Sequence, residues 1–230
     1  MIVGLIPCAG KAERLHGLPK YLLPLPDGYL LKNHQTRMLD AGIGIVGIAL
    51  RPESIGMPHI VTGQILREMV VRRGLTMVDT LLECRWWAES DNVLMVMADT
   101  YFTPQPDLFN QMEKMLDSAD VVLAVWQFQD TQRGKFGAVD LDGCDVREVV
   151  DKDPLSPHQF FWGAVAWKPT FWEYMKPEHA HLGIAINSAI AAGMRVRAVF
   201  ADGSYFDCGT FEGYSELVMH LAKEGNRESA

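Results

Sequence analysis

Short apolar runs alternate with segments of helical periodicity over the first half of the chain. The runs of strand length lie at residues 2–6, 43–50, 93–97 and 121–125. Between them, apolar residues recur at helical spacing over residues 30–41, 77–88 and 109–116. Continuous apolar runs are typical of parallel strands that are buried on both faces. The alternation therefore predicts a doubly wound α/β sheet.

The pattern changes near residue 134. Residues 136–141 and 145–150 alternate polar and apolar positions around Asp142-Gly143, a dipeptide typical of a hairpin turn. Further strands are expected at residues 160–167, 194–200 and 205–207, with helices at 181–192 and from 210 to about 223. We expect a mixed sheet in this half, laid beside the first. In the first half, residues 54–63 are a poorly assigned loop and residues 69–71 are expected to form a short strand.

The composition excludes several classes of protein. The chain has 230 residues, a net charge of −8 and a sequence pI near 5.3, which disfavours nucleic acid as the main partner. Its four cysteines form no C-x-x-C pair, so neither a zinc knuckle nor a disulfide framework is indicated. No signal peptide or bilayer-spanning run is found, and we expect a cytoplasmic protein without a membrane partner. The sequence leaves open whether it forms a homo-oligomer.

The segment after the first strand has the composition of a phosphate-binding loop. Gly10 and Ala12 keep side chains small, so backbone N–H groups can approach phosphate oxygens. Arg14 can bind two oxygens at once, and Lys20 supplies a compact charge. The segment is neither a Walker A loop nor a G-x-G-x-x-G fingerprint. By spacing alone, a plain turn with two solvated cations explains it equally well.

Two carboxylates stand at strand ends, where α/β proteins bind ligands. Asp99 follows the run at residues 93–97, and Asp207 ends a short strand. If they meet in space, their hard oxygens suit Mg²⁺; taken singly, each more often caps a turn or a helix. Lys152 lies between Asp151 and Asp153, where it either forms a solvated ion pair or reaches a substrate phosphate.

Together, four segments resemble the sugar-1-phosphate nucleotidylyltransferases, the pyrophosphorylases that make nucleotide sugars. They are residues 6–15 with Pro19-Lys20 (IPCAGKAERL…PK), residues 97–102 (MADTYF), residues 137–154 ending in VDKDP, and residues 206–212 (FDCGTFE). Their order and separations also agree with that family. The resemblance implies a three-layer α/β/α sandwich with a mixed, mostly parallel sheet, the nucleotide-diphospho-sugar transferase fold, which is GT-A-like.

The resemblance also implies an activity: transfer of an NMP from an NTP to a sugar 1-phosphate or similar phosphorylated acceptor, with release of pyrophosphate. Mg²⁺ would be the cofactor. Within one nucleotidyltransferase domain, 1–230, residues 1–133 would form the nucleotide-binding half and residues 134–222 the acceptor-binding half. Residues 223–230 would form a polar tail.

The same resemblance assigns roles to individual residues. Arg14 would hold the β- and γ-phosphates, Lys20 would neutralise the α-phosphate, and Lys152 would bind the acceptor phosphate. Asp99 and Asp207 would be the metal ligands. The remaining nucleotide-binding positions would be Pro7, Ala9, Gly10, Lys11, Ala12, Asp79 and Thr80.

Three departures from the family pattern bear on function. Ala12 stands where the family usually has glycine, so one backbone contact with phosphate is expected to be looser. Asp79 falls where many members carry a base-reading glutamine, and a carboxylate would favour a base with an amino group. Phe161-Trp162-Gly163 replaces the usual Asn-x-Gly that contacts the sugar, which argues against an ordinary hexose.

Two other functions stay open. A GT-A glycosyltransferase shares the sandwich but would need an Asp-x-Asp motif, and Asp99-Thr100-Tyr101 lacks the second carboxylate. A nucleotide-sugar binding or regulatory protein without turnover is the second alternative, and the replacements at Ala12 and Trp162 favour it.

Overall fold

A computed structural model of the chain describes residues 1–54, 64–103 and 105–228. Within these residues, nine strands form one mixed sheet in the order β5-β4-β1-β6-β11-β8-β12-β10-β9. These strands are β1 (Ile2–Pro7), β4 (Ile45–Leu50), β5 (Ile65–Val70), β6 (Asn92–Val96), β8 (Val121–Gln127), β9 (Gly137–Asp142), β10 (Asp145–Asp151), β11 (Phe160–Trp167) and β12 (Val196–Phe200). The remaining strands pair as β2 (Pro24–Leu25) with β3 (Gly28–Tyr29), and β7 (Thr100–Phe102) with β13 (Tyr205–Asp207).

The sheet is mostly parallel. Strands β5, β4, β1 and β6 pair in parallel, as do β8 and β12. Strand β11 runs antiparallel between β6 and β8, and the hairpin β9–β10 closes one edge. Because β9 to β12 belong to the same sheet as β1, β4, β5, β6 and β8, the two halves expected from the sequence share one sheet.

Helices cover both faces of this sheet. They are α1 (Leu30–Asp40), α2 (Met77–Ala88), α3 (Leu108–Met115), α4 (Leu182–Ala191) and α5 (Phe211–Glu228). Successive residues of β6 point to opposite faces: Val93 and Met95 pack in the core under α2 and α4, whereas Leu94 and Val96 pack in the core under α1 and α3. The expected three-layer α/β/α sandwich with a mixed, mostly parallel sheet is therefore confirmed.

Two boundaries differ from the expectation. Strand β5 starts at Ile65, whereas only residues 69–71 were expected, because this edge strand exposes alternate residues and has no apolar run. Helix α5 continues to Glu228, beyond the expected end near Lys223, so residues 223–228 of the expected tail are helical. Residues 223–228 (KEGNRE) contain no apolar side chain, so the sequence gives no periodic signal for helix there. Most of the expected loop at 54–63 lies outside the described residues.

No helix among the described residues is long and apolar enough to cross a bilayer.

Candidate active site

The segment after β1 is folded tightly around Ala12. The carbonyl oxygen of Ala12 accepts hydrogen bonds from the N–H groups of Leu15 and Gly17, at 2.9 and 3.1 Å. The N–H of Cys8 donates to the carbonyl of Ala49 at 2.8 Å and ties the start of the segment to β4. Because Leu15 is buried, the turn leaves the neighbouring Arg14 side chain exposed, at the wall of a large cleft.

Ala12 occupies a backbone conformation that favours glycine. Its φ angle is +53°, in the left-handed region, where a Cβ atom costs about 1–2 kcal/mol. Among the described residues, the other non-glycine residues with positive φ are His16 in the same segment and Lys152. Strained backbone of this kind concentrates at functional sites. The alanine thus adopts the conformation of the glycine that the resemblance expects here, at an energetic cost.

The two candidate metal ligands are brought together by the small sheet of β7 and β13. These strands pair antiparallel, with Asp207 opposite Thr100, the residue that follows Asp99. The N–H of Cys208 donates to the carbonyl oxygen of Asp99 at 2.8 Å. Two segments more than a hundred residues apart in sequence are thereby held side by side. The carboxylates lie at the same end of the pair, because Asp99 precedes β7 and Asp207 ends β13.

Gly209 shows how closely these groups converge. A Cβ atom at this position would lie 2.8 Å from Asp207 Oδ1, 3.2 Å from Asp99 Oδ2 and 3.2 Å from Lys20 Nζ. The backbone N–H of Gly209 also donates to Asp207 Oδ1 at 2.8 Å. Two carboxylates and an ammonium group therefore surround one point, and any larger residue at 209 would displace one of them.

The electrostatics of this cluster follow from its partial burial. Lys20 Nζ forms an ion pair with Asp99 Oδ2 at 2.8 Å. Burial raises the pKa of Asp207, and the neighbouring Asp99 charge raises it further, while the Gly209 N–H, Arg14 and Lys20 act in the opposite direction. An anionic pair of this kind is stabilised by added positive charge.

The donor set fits Mg²⁺ better than a soft metal. Both candidate ligands, Asp99 and Asp207, are hard carboxylates, and Mg²⁺ is commonly held by one or two carboxylates together with substrate phosphates and water. Across the described residues, no group of three or more His, Cys, Asp or Glu side chains could hold a metal ion. An ion at this point would therefore need oxygen atoms from a ligand or from water to complete its shell.

The large cleft is lined by most of the predicted nucleotide-binding residues. Its volume is about 620 Å³. The predicted residues that line it are Pro7, Ala9, Gly10, Lys11, Ala12, Arg14, Lys20, Thr80 and Asp99. Its wall on the β1 side therefore consists mainly of backbone and small side chains. This is the geometry in which N–H groups can face phosphate oxygens.

Asp79 does not line this cleft. Its Oδ2 accepts hydrogen bonds from the N–H groups of Leu75 and Thr76, at 3.2 and 3.1 Å, while the Thr76 hydroxyl accepts from the Asp79 N–H. This is a capping box at the start of α2. The geometry gives no support to the base-reading role expected for Asp79, because its carboxylate is committed to the helix cap.

A smaller cavity of about 180 Å³ adjoins the cleft and shares Arg14, Met77, Met97 and Asp99 with it. Lys152, Asp207 and Trp162 line the smaller cavity. The indole of Trp162 packs on Gly137, where a Cβ atom would lie 2.5 Å from the indole nitrogen. Phe161, which stands at the expected asparagine position, is fully buried outside the cavity.

One residue of the site was not singled out from the sequence. His34 on α1 is fully buried, and its Nε2 lies 2.9 Å from the carbonyl oxygen of Thr100. Burial lowers the pKa of His34 to about 3, so the ring is neutral and Nε2–H donates the bond. The helical spacing over residues 30–41 includes this position without assigning it a role. The sequence offered no sign that it faces the segment carrying Asp99.

Comparison with solved structures gives the class of fold. UDP-glucose pyrophosphorylase from Acinetobacter baumannii matches with a TM-score of 0.85 at 17% identity, covering 97% of this chain and 94% of that one. A UDP-glucose pyrophosphorylase solved with UDP-glucose matches with a TM-score of 0.82 at 18% identity, over 97% and 100% of the two chains. A protein assigned as a glucose-1-phosphate thymidylyltransferase from Bacillus anthracis, solved with sucrose, gives 0.81 at 16% identity, over 94% and 93%.

The likeness extends over nearly the whole chain, so the fold is the one found in these nucleotidylyltransferases. No protein-family model matches the sequence, and no match is found among curated proteins. At this level of identity the structural likeness establishes the architecture, and the activity has to be argued from the residues of the site.

Proposed function

We propose that the protein is a nucleotidylyltransferase that joins an NMP from an NTP to a sugar 1-phosphate or a similar phosphorylated acceptor, releasing pyrophosphate. The observation that carries the proposal is the convergence of Asp99, Asp207 and Lys20 on one point, beside two adjoining cavities. The larger cavity suits the nucleotide and the smaller one the acceptor. The fold neighbours, which include UDP-glucose pyrophosphorylase, support the same reaction class.

The nucleotide phosphates would lie against the segment of residues 7–14. Backbone N–H groups around Gly10 and Ala12 would contact the β- and γ-phosphates, together with the exposed Arg14 guanidinium. Lys20 now neutralises Asp99 at 2.8 Å, and in the complex it would share its charge with the α-phosphate. Thr80, on the far wall of the cleft, would face the nucleoside.

Asp99 and Asp207 would hold Mg²⁺. The bound ion would supply charge neutralisation at phosphate oxygens and would help to orient them. The elevated pKa of Asp207, caused by burial and by the charge of Asp99, is consistent with a carboxylate pair arranged for a cation.

Catalysis would then depend on position and charge. A phosphate oxygen of the acceptor attacks the α-phosphorus of the NTP, the bond from the α-phosphorus to the β-bridging oxygen breaks, and pyrophosphate leaves. Lys152 would hold the acceptor phosphate for this attack, while Arg14 and Lys20 neutralise charge on the nucleotide. No covalent bond to the protein is needed.

The cellular setting proposed is the cytoplasm. The described residues contain four free cysteines, of which Cys8, Cys84 and Cys208 are buried. Unpaired buried thiols of this kind are usual in a reducing compartment.

The test is a pyrophosphate-release assay of each NTP against a panel of phosphorylated acceptors, with and without Mg²⁺. Pyrophosphate formed only when an NTP, an acceptor and Mg²⁺ are all present supports the proposal. Hydrolysis of UDP-sugars without NTP consumption would instead identify a glycosyltransferase. Tight nucleotide binding by calorimetry with no pyrophosphate from any pair would identify a binding protein.

The structure gives one argument against the glycosyltransferase. The hydroxyl of Thr100, which follows Asp99, donates to the carbonyl oxygen of Met97 at 3.0 Å, and the residue is buried. The second aspartate of an Asp-x-Asp motif would stand at residue 101, which is a tyrosine here and is also buried. Neither side chain can serve as a further metal ligand there.

A further inference from the structure

The smaller cavity offers few groups suited to the hydroxyls of a sugar. Among the described residues that line it, there is no Asn, Gln, Glu or Ser. Its two hydroxyl side chains already donate their hydrogens, Thr100 to the Met97 carbonyl and Tyr205 to the Gly163 carbonyl at 3.3 Å. Much of the remaining wall is apolar: Met77, Met97, Phe136, Trp162 and Leu182.

Cations dominate the charged groups of this wall once the Asp99–Asp207 pair is set aside. Arg14, Lys135 and Lys152 face the cavity against one carboxylate, that of Asp151. His181 completes the titratable lining. Such a surface supplies hydrogen-bond donors and more positive than negative charge, which complement an anion.

Lys135 is the cation without an assigned role. The proposed reaction uses Arg14 for the nucleotide and Lys152 for the reacting phosphate of the acceptor. Lys135 lies on the turn before β9, where its backbone N–H donates to the Gln132 carbonyl at 3.0 Å. Within the described part of the chain its ammonium group has no ion-pair partner. A second positive charge therefore stands beside the acceptor cavity, free to bind a ligand.

We infer that the acceptor carries a second anionic group, a carboxylate or another phosphate, and that Lys135 binds it. This inference rests on the proposed function, since it concerns the same cavity. The cavity volume, about 180 Å³ against about 620 Å³ for the nucleotide cleft, further favours a compact acceptor. Lys135 would then be a specificity-determining residue, because it distinguishes acceptors by a group remote from the reacting oxygen.

The test compares acceptors that differ in one anionic group. Glucuronic acid 1-phosphate is paired with glucose 1-phosphate, and 3-phosphoglycerate is paired with glycerol 3-phosphate. Pyrophosphate release gives kcat/KM for each, and calorimetry of the same compounds, titrated into the protein with Mg²⁺ and a non-hydrolysable NTP, gives a readout independent of turnover. Lys135→Gln is compared with Lys114→Gln, a change at an exposed lysine of α3 outside both cavities.

In at least one pair, the member with the additional carboxylate is expected to be preferred by about tenfold or more, the scale of a charge-assisted hydrogen bond. Lys135→Gln should remove that preference while leaving the other member of the pair unchanged, and Lys114→Gln should alter neither. Equal affinity and turnover within both pairs, or a preference that survives in Lys135→Gln, would overturn the inference. Absence of pyrophosphate with every acceptor, while NTP binds, would instead count against the proposed function.

Discussion

The two cavities that meet at Asp99 are built in different ways. The proposed nucleotide cleft is bordered by backbone and small side chains of the segment at residues 7–14, whereas the proposed acceptor cavity is bordered by large side chains such as Trp162 and Lys135. A backbone wall would contact phosphate, which every NTP shares, and a side-chain wall would respond to the particular acceptor. Changes at the junction should therefore abolish turnover, and changes in the acceptor wall should redirect it.

The largest effect is expected at the junction of the two cavities, which is formed by Asp99 and Asp207. Asp207→Asn keeps the side-chain oxygen that accepts from the Gly209 N–H but removes one of the two converging charges. We expect pyrophosphate release to fall at least a hundredfold, on the scale of losing one preorganised electrostatic group. In a chelating buffer the variant should be more stable than wild type to heat, because the buried repulsion with Asp99 is gone.

The pyrophosphate assay measures the loss of turnover in Asp207→Asn. A thermal melt followed by circular dichroism measures the gain in stability. Asp91→Asn serves as the matched control. The Asp91 carboxylate forms an ion pair with the α-amino group of Met1, with Oδ1 and N 3.8 Å apart, and it lies outside both cavities. Full turnover in Asp207→Asn would show that this carboxylate has no part in the reaction.

A smaller effect is expected from the residue that supports the junction. His34→Leu removes the donor to the Thr100 carbonyl, which lies 2.9 Å from Nε2 in the native chain. The Mg²⁺ concentration needed for half-maximal activity should rise about 10-fold, within the range seen when a group behind a metal ligand is lost. His34→Gln, whose amide can donate at a similar position, should restore most of the Mg²⁺ response.

This comparison separates positioning from packing. If His34 only fills space, both variants should lower the melting temperature and neither should change the Mg²⁺ dependence. Since burial lowers the pKa of His34 to about 3, the imidazole stays neutral above that pH. The His34 contribution to the Mg²⁺ response should accordingly be constant between pH 6 and 8.

A substitution in the wall of the proposed acceptor cavity should change acceptor selectivity without changing NTP binding. Trp162→Leu removes an indole that covers Gly137 and so enlarges the smaller cavity. We expect kcat/KM for bulky acceptors to rise relative to compact ones by about tenfold, the scale of modest changes in pocket fit. The KM for the NTP should stay the same. Trp86→Leu on α2 is the control, because Trp86 is largely exposed and borders neither cavity.

The same contrast explains what the sequence could predict. Apolar runs and helical spacing located strands such as β1 and β6, because burial on both faces leaves a continuous apolar signature. The segment at residues 7–14, Asp99 and Asp207 could be proposed as site residues because they stand after or at the ends of strands, where α/β proteins bind ligands. Strand β5 was underestimated because an edge strand with exposed alternate residues carries no such run.

Residues that act through tertiary contacts were less predictable. Asp79 and His34 both lie on helices near the site, but the sequence could not tell which way each points. The structure turns Asp79 to the N–H groups that start α2, and it turns His34 to the Thr100 carbonyl. Periodicity indicates which face of a helix is buried. It does not indicate which polar atom of another segment that face will meet.

The smallest effect is expected on the nucleotide side, at Ala12. Ala12→Gly should relieve the cost of holding a Cβ atom at φ +53°, about 1–2 kcal/mol, although glycine adds roughly 0.5–1 kcal/mol of unfolded-state entropy. The net gain should lie between about 0 and 1.5 kcal/mol, measured by urea unfolding. Ala9→Gly is the matched control: Ala9 is equally buried but has no positive φ, so that change should destabilise. Similar losses in both variants would mean that Ala12 carries no strain that glycine relieves, and alanine would then be the more stable residue at this position.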